Sequence, residues 1–374
     1  MPGDARRMAA GAGEELQRLL AISSVSGDEG AMLAYLEQRC AGLGLATWRQ
    51  QVDGDRHNLL VNPLPEPVLI ITAHMDTVPE MINGRACRRE IVGQRFYGRG
   101  AADVKGGMAA LLTALAELIT WGNLKAGEMP PVTLAFTVDE EREGKGSEEL
   151  AKLGGHAAVV IEPTDLKLCT AQAGSVVMKA QIHGRSAHGS TLESGQNAVL
   201  RAMGLLHELG RLPVFRRSHN LIGQGGYNVQ MISGGSREMA VPHWCELILD
   251  CRVLPGQTTA AVQQAVESLV GGRDWVDSRW LDVSGSYEIG GHEPVVALAG
   301  SCIWEALGEE PRAGGMPSWT DGENLHAAGI KPVIFGPGSL AVAHTGEEYI
   351  DLPEVVKAAR VFAGLLTRAG ELRT

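Results

Sequence analysis

The chain of 374 residues has no Cys-x-x-Cys pair, no block of lysine or arginine, and no apolar run near membrane-spanning length. Each absence removes a class of function. Its six cysteines, Cys40, Cys87, Cys169, Cys245, Cys251 and Cys302, are scattered, which argues against a zinc ribbon and a disulfide framework and points to buried, reduced thiols. Basic residues number 33 against 44 acidic ones, a formal net charge of -11, so the electrostatic footprint of a nucleic-acid binder is missing. The stretch MPGDARRMAAGAGEELQRLL carries no signal-peptide core, and no segment approaches the roughly 20 apolar residues of a spanning helix. A cytoplasmic protein with no membrane partner is therefore expected. Internal repeats and low-complexity segments are absent as well. What remains is a chain with 44% hydrophobic residues, too long for one typical core, whose expected partner is a small molecule.

Two segments near the start read as helices. EELQRLLAI has helical apolar spacing, and SGDEGAMLAYLEQRC opens with Ser26 and Glu29 in the arrangement of a capping box. Then PVLIITAHMD, PVTLAFTVDEE, AAVVIEPTD and KPVIFGPG follow as short continuous apolar runs, the pattern of strands buried on both faces of a parallel sheet. Helical stretches such as GGMAALLTALAELI separate them. From Gly174 to Gly290 the texture changes: SVVMKAQIHG, GYNVQMISGG and WCELILDCRVLPG alternate apolar and polar residues, as strands with one wet face do, and NAVLRAMGLLHEL is an amphipathic helix. The fold class is α/β, a mostly parallel mixed sheet flanked by helices, formed by residues 1–173 and 291–374 and interrupted by an inserted α+β domain over residues 174–290.

Each buried run ends in side chains that can ligate a metal. His74 and Asp76 close the first, Glu140 and Glu141 the second and Glu162 the third, while His344 lies in the loop after the last. Open α/β sheets bind ligands outside the carboxyl ends of their strands, so these groups can converge on one crevice. The loop YGRGAADVKGG adds Asp103 among glycines that permit a sharp turn and a close backbone approach. The loop lacks the spacing of either phosphate-binding glycine motif. Two histidines with several carboxylates suit zinc, or cobalt or manganese. With His74 and Glu162 on one ion, Glu141 and His344 on the other and Asp103 shared, each ion has three protein ligands and an open position. Taken singly, each motif has a plainer reading as a capped strand end, a solvated acidic loop or a turn. Their joint occurrence at strand ends favours the metal site.

The motifs HMDTVP, YGRGAADVKGGMAALL, TVDEEREGKGSEEL, VVIEPTD, GRSAHGS and FGPGSLAVAHTGEEYI, in this order, resemble the dinuclear zinc family of acetylornithine deacetylase, succinyl-diaminopimelate desuccinylase, aminoacylase and carboxypeptidase G. The resemblance covers nearly the whole chain. It implies a zinc-peptidase-like catalytic domain, an inserted lid and dimerisation domain, two zinc ions and a homodimer. It assigns His74, Asp103 and Glu162 to one zinc and Asp103, Glu141 and His344 to the other, Asp76 to orienting the His74 imidazole, and Glu140 to general-base catalysis. In the inserted domain it assigns His188 to the oxyanion of a neighbouring subunit's site, and Asn228 and Arg252 to the substrate carboxylate; Gly336 and Gly338 would line the pocket. The expected reaction is hydrolysis of an N-acyl amino acid, with a di-, amino- or carboxypeptidase on the same scaffold as the alternative and a non-catalytic metal-binding homologue behind both. Where the family commonly has GGTDA, this chain reads GGMPSWTDGENLHAAG; a Glu323 facing the pocket would suit a cationic substrate side chain, and a Glu323 at a helix start would not.

Overall fold

The continuous apolar runs form the strands Leu69–His74, Val132–Thr137, Ala157–Val160 and Lys331–Ile334, the first three buried at every residue. They lie parallel, with Leu69–His74 between Val132–Thr137 and Ala157–Val160, and Lys331–Ile334 beyond the last of these. His74 stands opposite Thr137 and Thr72 opposite Val160, so these strands stop at nearly the same level. That register is what gathers residues from distant parts of the sequence at one edge. Antiparallel strands extend the sheet on both sides: Arg56–Val61 and Thr47–Asp53 beside Val132–Thr137, and Leu168–Gln172 beside Lys331–Ile334.

This computed structural model describes residues 2–82, 84–125 and 129–373. Two compact units emerge. The first comprises the chain up to Thr170, Ile289–Gly314 and everything from Thr320 on; the second comprises Ala171–Glu288 and Gly315–Trp319. In the first unit the helices Gly106–Thr120, Pro294–Leu307 and Leu352–Arg368 share one core with the sheet, built on Met108, Leu111, Leu115, Leu298, Phe335 and Phe362 among others. The Phe335 and Phe362 rings meet edge to face with centroids 5.9 Å apart, a favoured quadrupole arrangement. All six cysteines are buried and free.

The N-terminal helix is longer than EELQRLLAI alone suggests, running Pro2–Ala21 with Ala12, Leu16 and Leu19 in the core. The capping box does not form. The next helix is Gly30–Gly42, without a side-chain cap, because Ser26 donates its hydroxyl to Asp76 Oδ2 at 2.6 Å and Glu29 accepts from Arg56. Tertiary partners outcompete the local motif there.

The second unit is an antiparallel sheet in the order Tyr227–Gly234, Trp244–Val253, Gly174–His183, Val276–Ser284. Along Gly174–His183 the residues Val176, Met178, Ala180 and Ile182 alternate into a core shared with the helices Ala198–Leu209 and Thr259–Val270. Both helices start on a true cap: Asn197 accepts the N–H of Val199 and Leu200, and Thr258 that of Ala261, satisfying donors the first turn leaves free. No helix among the described residues is long and apolar enough to cross a membrane.

Candidate metal centre

His74 is the last residue of its strand and almost wholly buried. Its Nδ1 is 2.9 Å from the Asp76 main-chain oxygen, and its Nε2 is 3.1 Å from Asp103 Oδ1. Asp103 lies in the tight turn Ala101–Lys105 that leads into the helix Gly106–Thr120. Glu162 follows the strand Ala157–Val160 and is buried, with its Oε1 lacking any hydrogen-bond partner. From the loop beyond Lys331–Ile334, His344 brings its Nε2 to 3.0 Å from Glu141 Oε2 and 3.4 Å from Asp103 Oδ2. Two triads result, His74–Asp103–Glu162 and Asp103–Glu141–His344, each with donor atoms within 4.8 Å of one another. Asp103 belongs to both.

This donor set fits divalent cations. A buried carboxylate oxygen without a partner costs free energy, and several carboxylates sharing one low-dielectric place repel one another. Burial, relieved in part by His74 and aggravated by Asp103, pushes the Glu162 carboxyl well above its ordinary range. Burial likewise pushes Glu140 well up, with His74 opposing and Glu162 and Glu141 reinforcing. For Asp103 burial acts upward, but the hydrogen bonds from His344 and His74 prevail and hold its carboxyl far below the usual value. The same contacts act in reverse on the imidazoles. Hydrogen bonds to Asp103 and Glu141 raise His344 to about 10; His74 rises well above 6.5 as Glu140 and Asp103 overcome its burial.

Glu140 and Glu141 are presented by a turn held at its backbone by Asp76 and, one residue earlier, at the Asp139 side chain by Arg56. Asp76 accepts the Glu140 N–H at Oδ1 and the Glu141 N–H at Oδ2, both at 3.2 Å. Asp139, at a φ of 71°, receives Arg56 at 2.7 Å, and Arg56 is in turn paired with Glu29 at 2.5 Å. Asp76 also lies beside His74. Its carboxylate stands 3.7 Å from His74 Nδ1, and the closer partner of that nitrogen is its own main-chain oxygen. The carboxylate accepts the Ser26 hydroxyl and the two backbone amides.

Gly336 and Gly338 lie against the ligand loops. A Cβ on Gly336 would come within 2.6 Å of the Glu162 carbonyl, and Gly338 has a φ of +89° beside Ala102. Glu323 occupies the first turn of the helix Gly322–Ala327, a position that favours an acidic side chain, so a cationic substrate gains no support from it. In the second unit Asn228 is exposed and pairs in register with Asp250, while Arg252, two residues along the same strand face, is held by Asp250 Oδ2 at 3.0 Å. His188, also in the second unit, is exposed, with Nδ1 2.8 Å from the Ser190 hydroxyl.

Some residues at the centre were not singled out from the sequence. Asp321 is buried and accepts the Thr137 hydroxyl at 2.6 Å, with its Oδ1 unpartnered and its carboxyl pushed up by burial. Glu348 accepts the N–H groups of Ala102 and Asp103 on one oxygen and pairs with Arg99 on the other. Only the Asp-containing WTDGEN stretch hints at the first; a glutamate four residues past His344 gives no local signal of the second.

Residues 70–368 match Peptidase family M20/M25/M40. The chain belongs to that family. Among curated relatives, a protein named probable carboxypeptidase from Aspergillus clavatus is 26% identical over 94% of this chain and 81% of its own length. An acetylornithine deacetylase of Myxococcus xanthus is 28% identical over 89% of this chain and 90% of its own. Among solved structures, an M20 family metallo-carboxypeptidase from Sulfolobus solfataricus superposes with a TM-score of 0.80 at 18% identity, covering 96% of this chain and 99% of that one. As a member of the M20 peptidases the protein is a metal-dependent hydrolase of amide bonds, and the resemblance read from its motifs holds.

Proposed function

We propose that the protein is a dinuclear zinc hydrolase that cleaves an N-acyl amino acid at its amide and releases the free amino acid. The observation that carries this reading is the pair of triads sharing Asp103 with Glu140 beside them, outside both ligand sets. A binding protein needs the ligands but not the extra carboxylate. Imidazole and carboxylate donors in triads suit zinc, with cobalt and manganese as substitutes. Two such ions would polarise the acyl oxygen and lower the pKa of a shared water toward about 7.

The chain's own residues do the rest. Glu140 takes a proton from the attacking water and hands it to the leaving nitrogen, the role of a general base that then acts as a general acid. Asp76 and the Arg56–Asp139 pair keep that carboxylate in place through the backbone. For the α-carboxylate of the leaving amino acid the proposed anchors are Arg252, whose guanidinium Asp250 holds, and Asn228, with Gly336 and Gly338 lining the pocket. His188 is proposed to serve the oxyanion in the site of a second subunit of a homodimer, the inserted unit acting as lid and dimerisation domain.

A second reading, a carboxypeptidase acting on short peptides, is favoured by the name of the Aspergillus clavatus relative. Both reactions leave an amino acid with a free carboxylate; they differ in the acyl side. The test is release of primary amine from N-acetyl and N-succinyl amino acids, from dipeptides, and from the same compounds with the carboxylate converted to amide. Preference for small acyl groups supports the deacylase, and preference for dipeptides supports the carboxypeptidase. Equal turnover of carboxylates and amides would sink both.

A further inference from the structure

The buried ion pair Arg99–Glu348 sits behind the metal centre and touches no proposed ligand side chain. Both side chains are almost wholly buried, at 3% and 0% exposure. A buried ion pair is a poor source of stability, since desolvation offsets most of its attraction, so its placement asks for another explanation. The hydrogen bonds these two side chains make beyond their own pairing go to backbone in the loops that carry ligands. Glu348 Oε1 accepts the N–H of Ala102 at 3.1 Å and of Asp103 itself at 3.2 Å. Arg99 Nε donates to the Pro79 carbonyl at 3.1 Å, in the loop that follows His74 and Asp76, and its Nη2 donates to the Thr345 carbonyl at 3.3 Å, one residue past His344. The Glu348 carbonyl in turn receives the Gly98 N–H at 3.1 Å.

We infer that Arg99 and Glu348 are positioning residues that lock three ligand loops to one another, with Glu348 fixing the backbone of the shared carboxylate Asp103. This inference rests on the two-metal reading of the centre. Asp103 sits in a short turn with non-helical backbone at Asp103 and Val104, so the two amides that Glu348 accepts have no helical partners to hold them. The guanidinium fork is rigid and planar, which lets one side chain serve the carboxylate and two carbonyls in fixed directions. A ligand used by one ion fails at one site when displaced; a shared ligand fails at both.

That difference supplies the test. Metal-free wild type and variants are titrated with Co2+, following the visible absorption of the bound ions and their magnetic coupling, with cooperative thermal unfolding recorded for each. In Glu348→Ala both stepwise affinities should fall together, by about 10- to 100-fold, the usual cost of removing a group that orients metal ligands. Glu348→Gln still offers an oxygen to the two N–H groups, so both affinities should return to within about threefold of wild type, although thermal stability falls because Arg99 loses its counter-charge. His344→Ala, which removes one ligand, should weaken one site only. Where the alanine variant does not fold, Glu348→Asp serves, since it keeps the charge and withdraws the acceptor; it should weaken both sites. Unchanged affinities in the Ala and Asp variants, a loss confined to one site, or failure of Gln to restore binding would overturn the inference. Wild type that binds fewer than two Co2+ ions would overturn the metal-centre reading itself.

Discussion

Asp76 holds Glu140 through the main chain: its Oδ1 accepts the Glu140 N–H at 3.2 Å, while its other oxygen takes the Glu141 N–H at the same distance. One carboxylate thus sets the position of the proposed base and of a proposed ligand together. Asp76→Ala would leave those two amides and the Ser26 hydroxyl without their acceptor. Expected is a fall of about 10- to 100-fold in metal affinity or turnover. Metal titration and steady-state rates check it; wild-type values for both would show that the turn holds itself.

Glu140 and Glu141 are adjacent and chemically alike, yet their roles divide. Glu140→Ala should retain both metal ions and lose turnover by roughly 10²- to 10⁴-fold, the usual share of a general base. His344→Ala should lose metal at its own site, since it leaves only Asp103 and Glu141 of that triad. Atomic emission alongside kinetics separates the two outcomes. A Glu140→Ala protein that has lost metal would mean that base and ligand are exchanged.

Metal uptake should depend on pH in a direction that the imidazoles fix. In the metal-free protein, hydrogen bonds to Asp103 and Glu141 raise His344 from 6.5 to about 10, so its protonated form is the one stabilised by folding. That contribution is full below about pH 6.5 and disappears as pH rises through about 10, and the half-exposure of His344 keeps it modest. A metal ion must displace this proton, so zinc affinity should climb between about pH 6 and about pH 8 while the metal-free fold weakens toward higher pH. Competitive chelator titrations and urea unfolding measure the two trends. Affinity that is flat or falls across that interval would contradict the assignment of His344 as a ligand.

Much of the centre was legible because the central strands of the sheet are parallel and buried. Strands such as Leu69–His74 and Val132–Thr137 are buried along their length and carry few polar groups, so the ionisable residues at or just past their ends, His74, Asp76, Glu140 and Glu141, stand out in the sequence. Asp103 was legible through its glycine-rich loop. Glu348, Arg99, Arg56 and Asp321 were not, because a single charged residue in a loop or at a strand end looks the same whether water or a buried partner satisfies it. Their partners lie far away in sequence, 249 residues apart for Arg99 and Glu348 and 83 for Arg56 and Asp139. The failed capping box has the same origin: Ser26 and Glu29 have the right spacing, but the fold offers Asp76 and Arg56 instead.

The proposed use of His188 in trans has its own test. Glu140→Ala and His188→Ala homodimers should each be nearly inactive, the latter by about 10²- to 10³-fold as for one oxyanion donor. Mixing by co-refolding gives about half heterodimers, in each of which the site with intact Glu140 receives the partner subunit's His188, so about a quarter of wild-type activity should return. Native mass spectrometry verifies exchange. Exchanged dimers without recovered activity would rule out a shared site.

The decisive measurement removes metal exhaustively, verifies its absence by atomic emission, and follows amine release from an N-acyl amino acid as zinc is added back. The side chains of the two triads predict that the stripped protein is inert and that activity returns as the two sites fill, with Asp103 common to both. Full activity in protein verified to be free of metal would contradict it.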